Sequence, residues 1–208
     1  MALSMTGSKK KLPLNREFYS QNVKTVARQL LGKRLISTIG GRTTAGIVVE
    51  TEAYRATSDS ACHGTRGITP RNEVMFGDPG FAYVYPIHAR VCFNAVTQSA
   101  GFAAAVLIRA IEVCEGIDVM FGRRQVDREL DLARGPARLC QALGIDRKVD
   151  SLDLTVGKSV WFDEHQSRVI RESQVKRTVR IGVTSAKELK LRYVVAGSKS
   201  ASGPLRLR

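Results

Sequence analysis

Two glutamates separated by a single residue are the best candidates in this chain for acid–base chemistry. Glu50 and Glu52 lie in the apolar stretch 48–54, which ends at Tyr54 and is soon followed by His63. Side chains alternate along a strand, so both glutamates and Tyr54 are expected on one face. A buried carboxylate costs free energy unless it is paired, hydrogen-bonded or protonated. Carboxylates in such surroundings mark candidate acid–base sites; the alternative is a solvent-facing pair or structural ion pairs.

The charge of the chain indicates a polyanionic partner. Its 208 residues include 33 Lys and Arg against 19 Asp and Glu, a formal net charge of +14. Nucleic acid is the commonest partner of so basic a protein. Residues 165–208 alone hold eleven basic and two acidic side chains, which favours a phosphate-facing surface there. An anionic membrane is the competing interpretation, but no apolar run of about 18 residues could span a bilayer.

The first residues lack the hydrophobic core of a signal peptide, so we expect a cytoplasmic, nucleoid-associated protein. Residues 1–15 are predicted to be a disordered basic leader, and residues 16–208 a single domain. An apolar content of 43% is enough for that domain to form a sizeable core.

The cysteines and histidines do not indicate a metal site. Four cysteines and three histidines occur without C-x-x-C or any zinc-ligand spacing. We expect the cysteines to be buried, reduced thiols in apolar surroundings, and no metal or other cofactor is implied. The four are Cys62, Cys92, Cys114 and Cys140.

Several catalytic motifs are missing from the sequence. It lacks the phosphate-binding G-x-x-x-x-G-K, the zinc-binding H-E-x-x-H, the hydrolase G-x-S-x-G and the zinc-deaminase signature. Metal-dependent nucleases need several clustered acids, and few acids neighbour the two glutamates. What remains is a strand with carboxylates, a tyrosine-rich hairpin with a basic tip, and a strand that carries Arg109.

Local patterns predict the elements that must position these residues. Asn22 is expected to cap a helix that runs through Leu31 and ends at Gly32. Further helices are predicted at 69–76, 115–124 and 136–143. Strands are predicted at 34–38, 43–54, 81–85, 91–96, 106–112, 160–162, 178–183 and 191–196. This irregular mixture favours an α+β fold: one domain with a curved, mostly antiparallel sheet, a protruding β-hairpin and surrounding short helices.

Linked motifs along the chain resemble the alkyladenine, or 3-methyladenine, DNA glycosylase family. The match extends from about residue 18 to residue 197. Its motifs are Val-Glu-Thr-Glu-Ala-Tyr at 49–54, His63, Thr-Pro-Arg-Asn at 69–72 with Met-Phe at 75–76, Tyr-Val-Tyr at 83–85, Leu-Ile-Arg-Ala-Ile-Glu at 107–112, Gly-Pro-Ala-Arg-Leu-Cys-Gln-Ala-Leu at 135–143 and Arg-Ile-Gly-Val at 180–183.

The resemblance implies a repair enzyme that acts on damaged double-stranded DNA. Such an enzyme rotates an alkylated or deaminated purine out of the duplex and hydrolyses the bond between base and sugar. It leaves an abasic site and initiates base-excision repair. The substrates it implies are 3-methyladenine, 7-methylguanine, hypoxanthine and ethenoadenine. Since one lesion is treated at a time, we expect a monomer.

The resemblance also implies the catalytic roles. Glu52 would deprotonate a water that attacks the anomeric carbon, and its charge would stabilise the oxocarbenium-like transition state. Arg109 would hold that water and the phosphate of the flipped nucleotide, and the carbonyl of Val183 would be a further ligand of the water. Glu50 would play a supporting or structural part. No lysine resembles an amine nucleophile beside Glu52, so we expect hydrolysis without strand scission.

The same resemblance implies a pocket for the flipped base. Tyr54 and Tyr85 would stack on the purine, and His63 would hydrogen-bond its edge. Asn94 would crowd the exocyclic amino group of guanine. Ordinary core packing is the alternative for the two tyrosines. Phosphate contacts are expected from Arg71, Arg138 and Arg180.

The hairpin tip departs from the family pattern. Where family members usually insert a tyrosine flanked by Gly-Met, this chain has His88-Ala89-Arg90, and the turn is one residue shorter. Inserted side chains are commonly apolar or aromatic. We expect Ile87, His88 and Arg90 to share the role of the inserted wedge, with Arg90 in the minor groove.

Two other functions are compatible with the residues. One is a nucleic-acid-binding protein of the same fold without catalysis, in which the carboxylates are structural. The other is a basic RNA-associated factor that binds through charge alone.

Overall fold

The computed structural model of the chain describes residues 12–163 and 168–204. Its α-helices in this part of the chain are α1 (Arg16–Tyr19), α2 (Val23–Gln29), α3 (Ile117–Arg124) and α4 (Pro136–Leu143). Its strands are β1 (Arg34–Ser37), β2 (Thr44–Arg55), β3 (Ala82–Ile87), β4 (Arg90–Val96), β5 (Ala104–Glu115), β6 (Val160–Asp163), β7 (Val175–Thr178) and β8 (Arg192–Val195). Short 3₁₀ turns lie at Ile39–Gly41, His63–Arg66, Glu73–Phe76, Glu129–Asp131, Arg147–Val149 and Glu172–Gln174.

Strand β2 is the centre of a single antiparallel sheet. Along one edge it pairs with β5. Along the other edge, residues 44–47 pair with β1 and residues 50–52 pair with β8. The main path of the sheet is β3-β4-β5-β2-β1-β6, and β7 pairs with β8. This arrangement confirms the predicted α+β domain with a curved antiparallel sheet.

In the described part of the chain the core has one large apolar cluster, a smaller one, and a group of only three residues, Ile36, Ala45 and Trp161. Phe93 and Ile108 of the sheet and Leu139 of α4 are fully buried in the large cluster. Met75 and Tyr83 belong to the smaller cluster, where the turn Glu73–Phe76 contacts β3 and β5. The smaller cluster matters for function because a cleft opens over it.

The end of the predicted leader is packed against the domain. Leu14 is fully buried, Pro13 forms a β-bridge with Asp163, and the side chain of Asn15 caps α1 by accepting the N–H of Phe18. Residues 12–15 therefore belong to the folded domain, because their apolar side chains complete its core. Residues 1–11 lie outside the described part of the chain.

Several helix ends follow the local sequence signals, although α2 ends at Gln29 and not, as predicted, after Leu31. The side chain of Asn22 accepts a hydrogen bond from the N–H of Lys24 at 3.0 Å, which confirms the predicted cap of α2. Pro136 is the first residue of α4, and Gly144 ends that helix in the left-handed conformation with φ 71°.

Strand β5 is longer than predicted, and this corrects two expectations. It continues to Glu115, and Gly116 with φ 67° then turns the chain, so α3 begins at Ile117. Cys114 is exposed, not buried, because it follows half-buried Val113 on the opposite face of the projecting strand. The other three cysteines are buried, and all four are free thiols.

The predicted helix at 69–76 is wrong over its first half. Only Glu73–Phe76 forms a 3₁₀ turn. The side chain of Asn72 accepts the N–H of Thr69 at 2.7 Å and donates to the carbonyls of His63 and Gly67. These side-chain bonds satisfy backbone groups in a turn and so compete with a helix.

The predicted strand at 178–183 is also wrong. Strand β7 ends at Thr178, and the following residues cross over β2 without joining the sheet. Arg180 and Ile181 bond to side chains of other segments, and Gly182 has φ 79°. The local alternation of residue types cannot show that these partners exist.

The hairpin of β3 and β4 is tighter than predicted. Its turn contains only His88 and Ala89, because Ile87 pairs with Arg90. Pro86 lies within β3, which is an edge strand and therefore tolerates a residue without an N–H group. His88 has φ 52°, a conformation that non-glycine residues adopt at some cost.

None of the helices in residues 12–163 and 168–204 has the length and apolar composition required to cross a bilayer.

Candidate active site

The common face predicted for the two glutamates and Tyr54 is confirmed, although register shifts interrupt the pairing of β2 with β5 between Val48 and Thr51. Val49 and Ala53 point into the large core, whereas Glu50, Glu52 and Tyr54 share the other face. Both glutamates are fully buried. The interpretation of a solvent-facing carboxylate pair is therefore wrong, and both carboxylates need partners inside the protein.

Glu52 is held by three donors from three segments. Its Oε2 accepts the hydroxyl of Tyr54 at 2.8 Å and Nη1 of Arg109 at 3.3 Å. Its Oε1 accepts the backbone N–H of Ile181 at 2.8 Å. A buried carboxylate so satisfied is stable as an anion, and its orientation is defined by groups from β2, β5 and the segment after β7.

Glu50 lies in a more strongly charged environment. Its Oε1 accepts Nε of Arg109 at 3.0 Å and Nε of Arg192 at 2.6 Å, and its Oε2 accepts the N–H of Ser202 at 2.6 Å. Burial alone would raise the pKa of Glu50, but the two guanidinium charges and the hydrogen bonds from Ser202 and Arg192 outweigh it and lower the pKa. The supporting role of Glu50 stays a prediction.

Glu50, Glu52, Arg109 and Arg192 together form a buried charged group. A cleft of about 550 Å³ opens next to it, at Tyr54. Glu52 and Arg109 are not among the residues that line the cleft, but Tyr54, which donates its hydroxyl to Glu52, is. Seven of the residues predicted for the site line the cleft: Tyr54, His63, Arg71, Tyr85, Ile87, Asn94 and Val183.

Aromatic rings dominate one side of the cleft. Nδ1 of His63 lies 2.7 Å from the hydroxyl of Tyr83, and its ring centroid lies 4.6 Å from that of Tyr85 at 76°. Partial burial, and then the positive charge of Arg71, lower the pKa of His63 below its ordinary 6.5. Burial raises the pKa of Tyr83 to about 12. The wall therefore presents neutral hydrogen-bonding groups and ring faces at neutral pH.

Two side chains that sequence reasoning gave no role organise this wall. Asn72 ties the carbonyl of His63 to that of Gly67, so it fixes the loop that carries the imidazole. Tyr83 supplies the hydroxyl partner of His63, and its carbonyl accepts the side-chain amide of buried Asn94 at 2.9 Å. The Thr69-x-x-Asn72 spacing, typical of a side-chain-capped turn, was the one local signal for Asn72.

Arg180 is not a surface residue, which corrects the prediction of a phosphate contact. Its side chain is fully buried, and Nη1 and Nη2 bind the two oxygens of Asp59 at 2.7 and 2.6 Å. Its guanidinium lies 4.5 Å above the ring of Tyr54. Burial and the neighbouring Glu52 raise the pKa of Tyr54. Arg180 thus supports the cleft wall from behind.

Arg109 and Arg138 occupy different surroundings. Arg109 is buried, and besides the two glutamates it donates to Oγ of Ser202 and the carbonyl of Ile181. Arg138 lies on α4 outside the cleft lining, 3.8 Å from Asp131.

The basic side chains of the hairpin and the cleft rim are partly engaged within the protein. Arg90 at the tip hydrogen-bonds Gln141 of α4. Arg71 donates to the carbonyl of Pro86 at 3.1 Å and so joins the loop to β3. Among the described residues, no three His, Cys, Asp or Glu side chains cluster in a way that could hold a metal ion.

Comparison with known proteins assigns the chain to a family. A family model for methylpurine-DNA glycosylases matches residues 17–199. A relative from Carboxydothermus hydrogenoformans, named as a 3-methyladenine DNA glycosylase, is 43% identical over 91% of this chain and 98% of its own. Relatives of the same name from Rhodopirellula baltica and Nitrobacter winogradskyi are 43% and 45% identical over 93% of this chain, and cover 84% and 89% of theirs.

This chain belongs to the methylpurine-DNA glycosylase family. The family similarity that the motifs indicated is thereby confirmed. The protein is a DNA glycosylase that functions in the repair of alkylated purines. The family match includes the carboxylate strand, the aromatic wall and the hairpin of the glycosylase. The interpretations as a protein without catalysis and as an RNA-associated factor are set aside.

The buried pair of Arg180 and Asp59 predicts a large loss of stability when one partner is removed. The change Asp59→Ala in the glycosylase leaves a buried guanidinium unpaired, which should lower the free energy of unfolding by about 3–5 kcal/mol. The matched control is Asp118→Ala, which removes the partner of Arg42 in an exposed ion pair and should cost less than about 1 kcal/mol. Urea denaturation of the two variants measures the difference, and equal losses would contradict the prediction.

The lowered pKa of His63 predicts a pH dependence of stability. Because the folded pKa of His63 is the lower one, this imidazole binds more protons in the unfolded than in the folded glycosylase as the pH falls through 6.5. Stability should therefore decrease with falling pH from 6.5 until the folded pKa of His63 is reached. NMR titration of the imidazole should give a midpoint below 6.5, and Arg71→Gln should raise it because one of the two causes is removed. A midpoint at or above 6.5 would contradict this account.

Proposed function

We propose that this glycosylase releases alkylated purines, with 3-methyladenine as a substrate, from double-stranded DNA and leaves an abasic site. The observation that carries the proposal is the buried Glu52 carboxylate, hydrogen-bonded to a tyrosine whose ring lines the cleft. The names of the relatives and the net charge of +14 support the same substrate class. It acts as a monomer on one lesion at a time, in the cytoplasm and at the nucleoid.

Recognition begins when the damaged nucleotide is rotated out of the duplex, because a stacked base cannot reach the cleft. The purine stacks between the rings of Tyr54 and Tyr85, which is worth roughly 1–3 kcal/mol for each base–aromatic contact. Neutral His63, held by Tyr83, hydrogen-bonds the purine edge. Asn94 is buried and fixed by the Tyr83 carbonyl, so its amide forms a rigid boundary against an exocyclic amino group.

Hydrolysis follows at the anomeric carbon. Glu52 takes one proton of a water while the water oxygen bonds to the carbon, and the electron pair of the C–N bond leaves with the base. An alkylated purine is cationic, so that pair neutralises it and no strong general acid is required. The negative charge of Glu52 also stabilises the oxocarbenium-like transition state. Arg109 and the carbonyl of Val183 hold the water, and no amine nucleophile takes part, so the strand stays intact.

Removal of the Glu52 charge should abolish base release. We expect Glu52→Gln to reduce the single-turnover release of 3-methyladenine from methylated duplex, without divalent metal, by at least about a hundredfold, the lower range for a positioned acid–base group. Affinity for a duplex with an abasic analogue should be retained. Glu112→Gln changes an exposed carboxylate on the adjacent strand and should leave the rate unchanged. Undiminished release by Glu52→Gln would falsify the mechanism.

The hairpin tip supplies the wedge that fills the gap left by the flipped nucleotide. Ile87 is 43% exposed and borders the cleft, and His88 occupies the outermost turn. An aromatic or apolar side chain at this place stabilises the flipped state by stacking on the neighbouring bases. Arg90 adds a positive charge for the minor groove.

His88→Ala should therefore slow release from duplex DNA by several-fold but leave release from single-stranded DNA unchanged. Only the duplex has a gap that needs to be filled. His88→Phe keeps a ring at the same backbone position and should preserve the duplex rate. Single-turnover assays on both substrates test this. Equal duplex rates for the wild type and His88→Ala would remove His88 from the proposal.

A further inference from the structure

The segment around Ser202 returns to the buried carboxylates from the far end of the chain. Ser202 is 6% exposed and lies 152 positions after Glu50, which it contacts. The family match ends at residue 199, so Ser202 lies beyond it whereas Glu50 lies within it.

Ser202 binds three charged side chains at once. Its N–H donates to Oε2 of Glu50 at 2.6 Å, and its hydroxyl donates to Oε1 of Glu50 at 2.9 Å. The same hydroxyl oxygen accepts Nη2 of Arg109 at 3.3 Å. Its carbonyl accepts Nη2 of Arg192 at 2.9 Å. Every polar atom of Ser202 is therefore used inside the charged group.

These contacts determine the direction of Arg109. Its Nε is held by Glu50 and its Nη2 by the hydroxyl of Ser202. Because a guanidinium is a rigid planar fork, fixing these two nitrogens also fixes the third. That third nitrogen, Nη1, points to Oε2 of Glu52 at 3.3 Å and to the carbonyl of Ile181 at 3.4 Å.

The neighbouring residue Gly203 supports the other side of Glu52. It has φ +79°, and a Cβ atom there would lie 2.5 Å from Cδ1 of Ile181. Ile181 donates its N–H to Glu52 at 2.8 Å. The segment thus lies directly against both groups that orient the carboxylate from outside β2.

We propose that Ser202 is a positioning residue of the glycosylase, which aligns Arg109 with Glu52 through its hydroxyl group. This inference rests on the proposed role of Glu52 in water activation. The hydroxyl acts on the chemical step and not on DNA binding, because Ser202 lies outside the cleft lining and contacts only buried groups.

The test is Ser202→Ala in the full chain, measured by single-turnover release of 3-methyladenine from methylated duplex. Loss of one hydroxyl that bonds two charged groups should lower the rate constant about tenfold. The Kd for duplex with an abasic analogue should stay unchanged. Ser202→Thr retains a hydroxyl and should recover most of the rate.

Ser198→Ala is the matched control, since it removes a hydroxyl four residues earlier that makes no hydrogen bond with the described residues. Its rate should remain within about twofold of the wild type. Melting temperatures of all variants report loss of fold. The inference is overturned if Ser202→Ala keeps the wild-type rate or if Ser202→Thr is as slow as Ser202→Ala. It is also overturned if the Kd of Ser202→Ala for the abasic duplex rises by the same factor as its rate constant falls. A wild-type protein without base release would instead overturn the proposed function itself.

Discussion

The two glutamates of β2 are stable as buried charges only because guanidinium groups from other strands reach them. Arg109 comes from β5 and Arg192 from β8, which flank β2 on opposite edges. An unpaired carboxylate at this depth would cost several kcal/mol. The central position of β2 makes this possible, because only a strand paired on both edges receives one arginine at Glu50 from each side. The sheet and the charged group depend on each other.

Pairing with buried carboxylates distinguishes the interior arginines from the basic residues at the surface. Arg109, Arg180 and Arg192 are buried against carboxylates and organise the interior. Other cations among the described residues, such as Arg42 and Arg128, are exposed, where a positive charge attracts polyanions. Net charge alone indicated nucleic acid but could not distinguish the two sets, so it gave no sign that Asp59 holds Arg180 inside.

The cleft combines features that support the proposed binding of a flipped, cationic base. Its walls carry aromatic rings, a histidine whose lowered pKa keeps it neutral, and tyrosines whose raised pKa keeps them protonated. The Glu52 carboxylate is fully buried and bonded to the hydroxyl of Tyr54, which lines the cleft. In the proposed mechanism, the buried negative charge stabilises the positive charge that develops on the sugar, while the cationic base becomes neutral as it leaves.

The sequence by itself determined the face shared by Glu50, Glu52 and Tyr54, the caps of the helices, the hairpin and the family, since these depend on local periodicity and on motif order. Only the tertiary structure decided that Asp59 pairs with Arg180, that Asn72 replaces a helix with a turn, and that Ser202 joins Glu50 across 152 positions. The physical reason is that a buried polar group needs a partner, and any distant donor can satisfy it. Which donor does so depends on the path of the whole backbone, and a local pattern contains no information about that path.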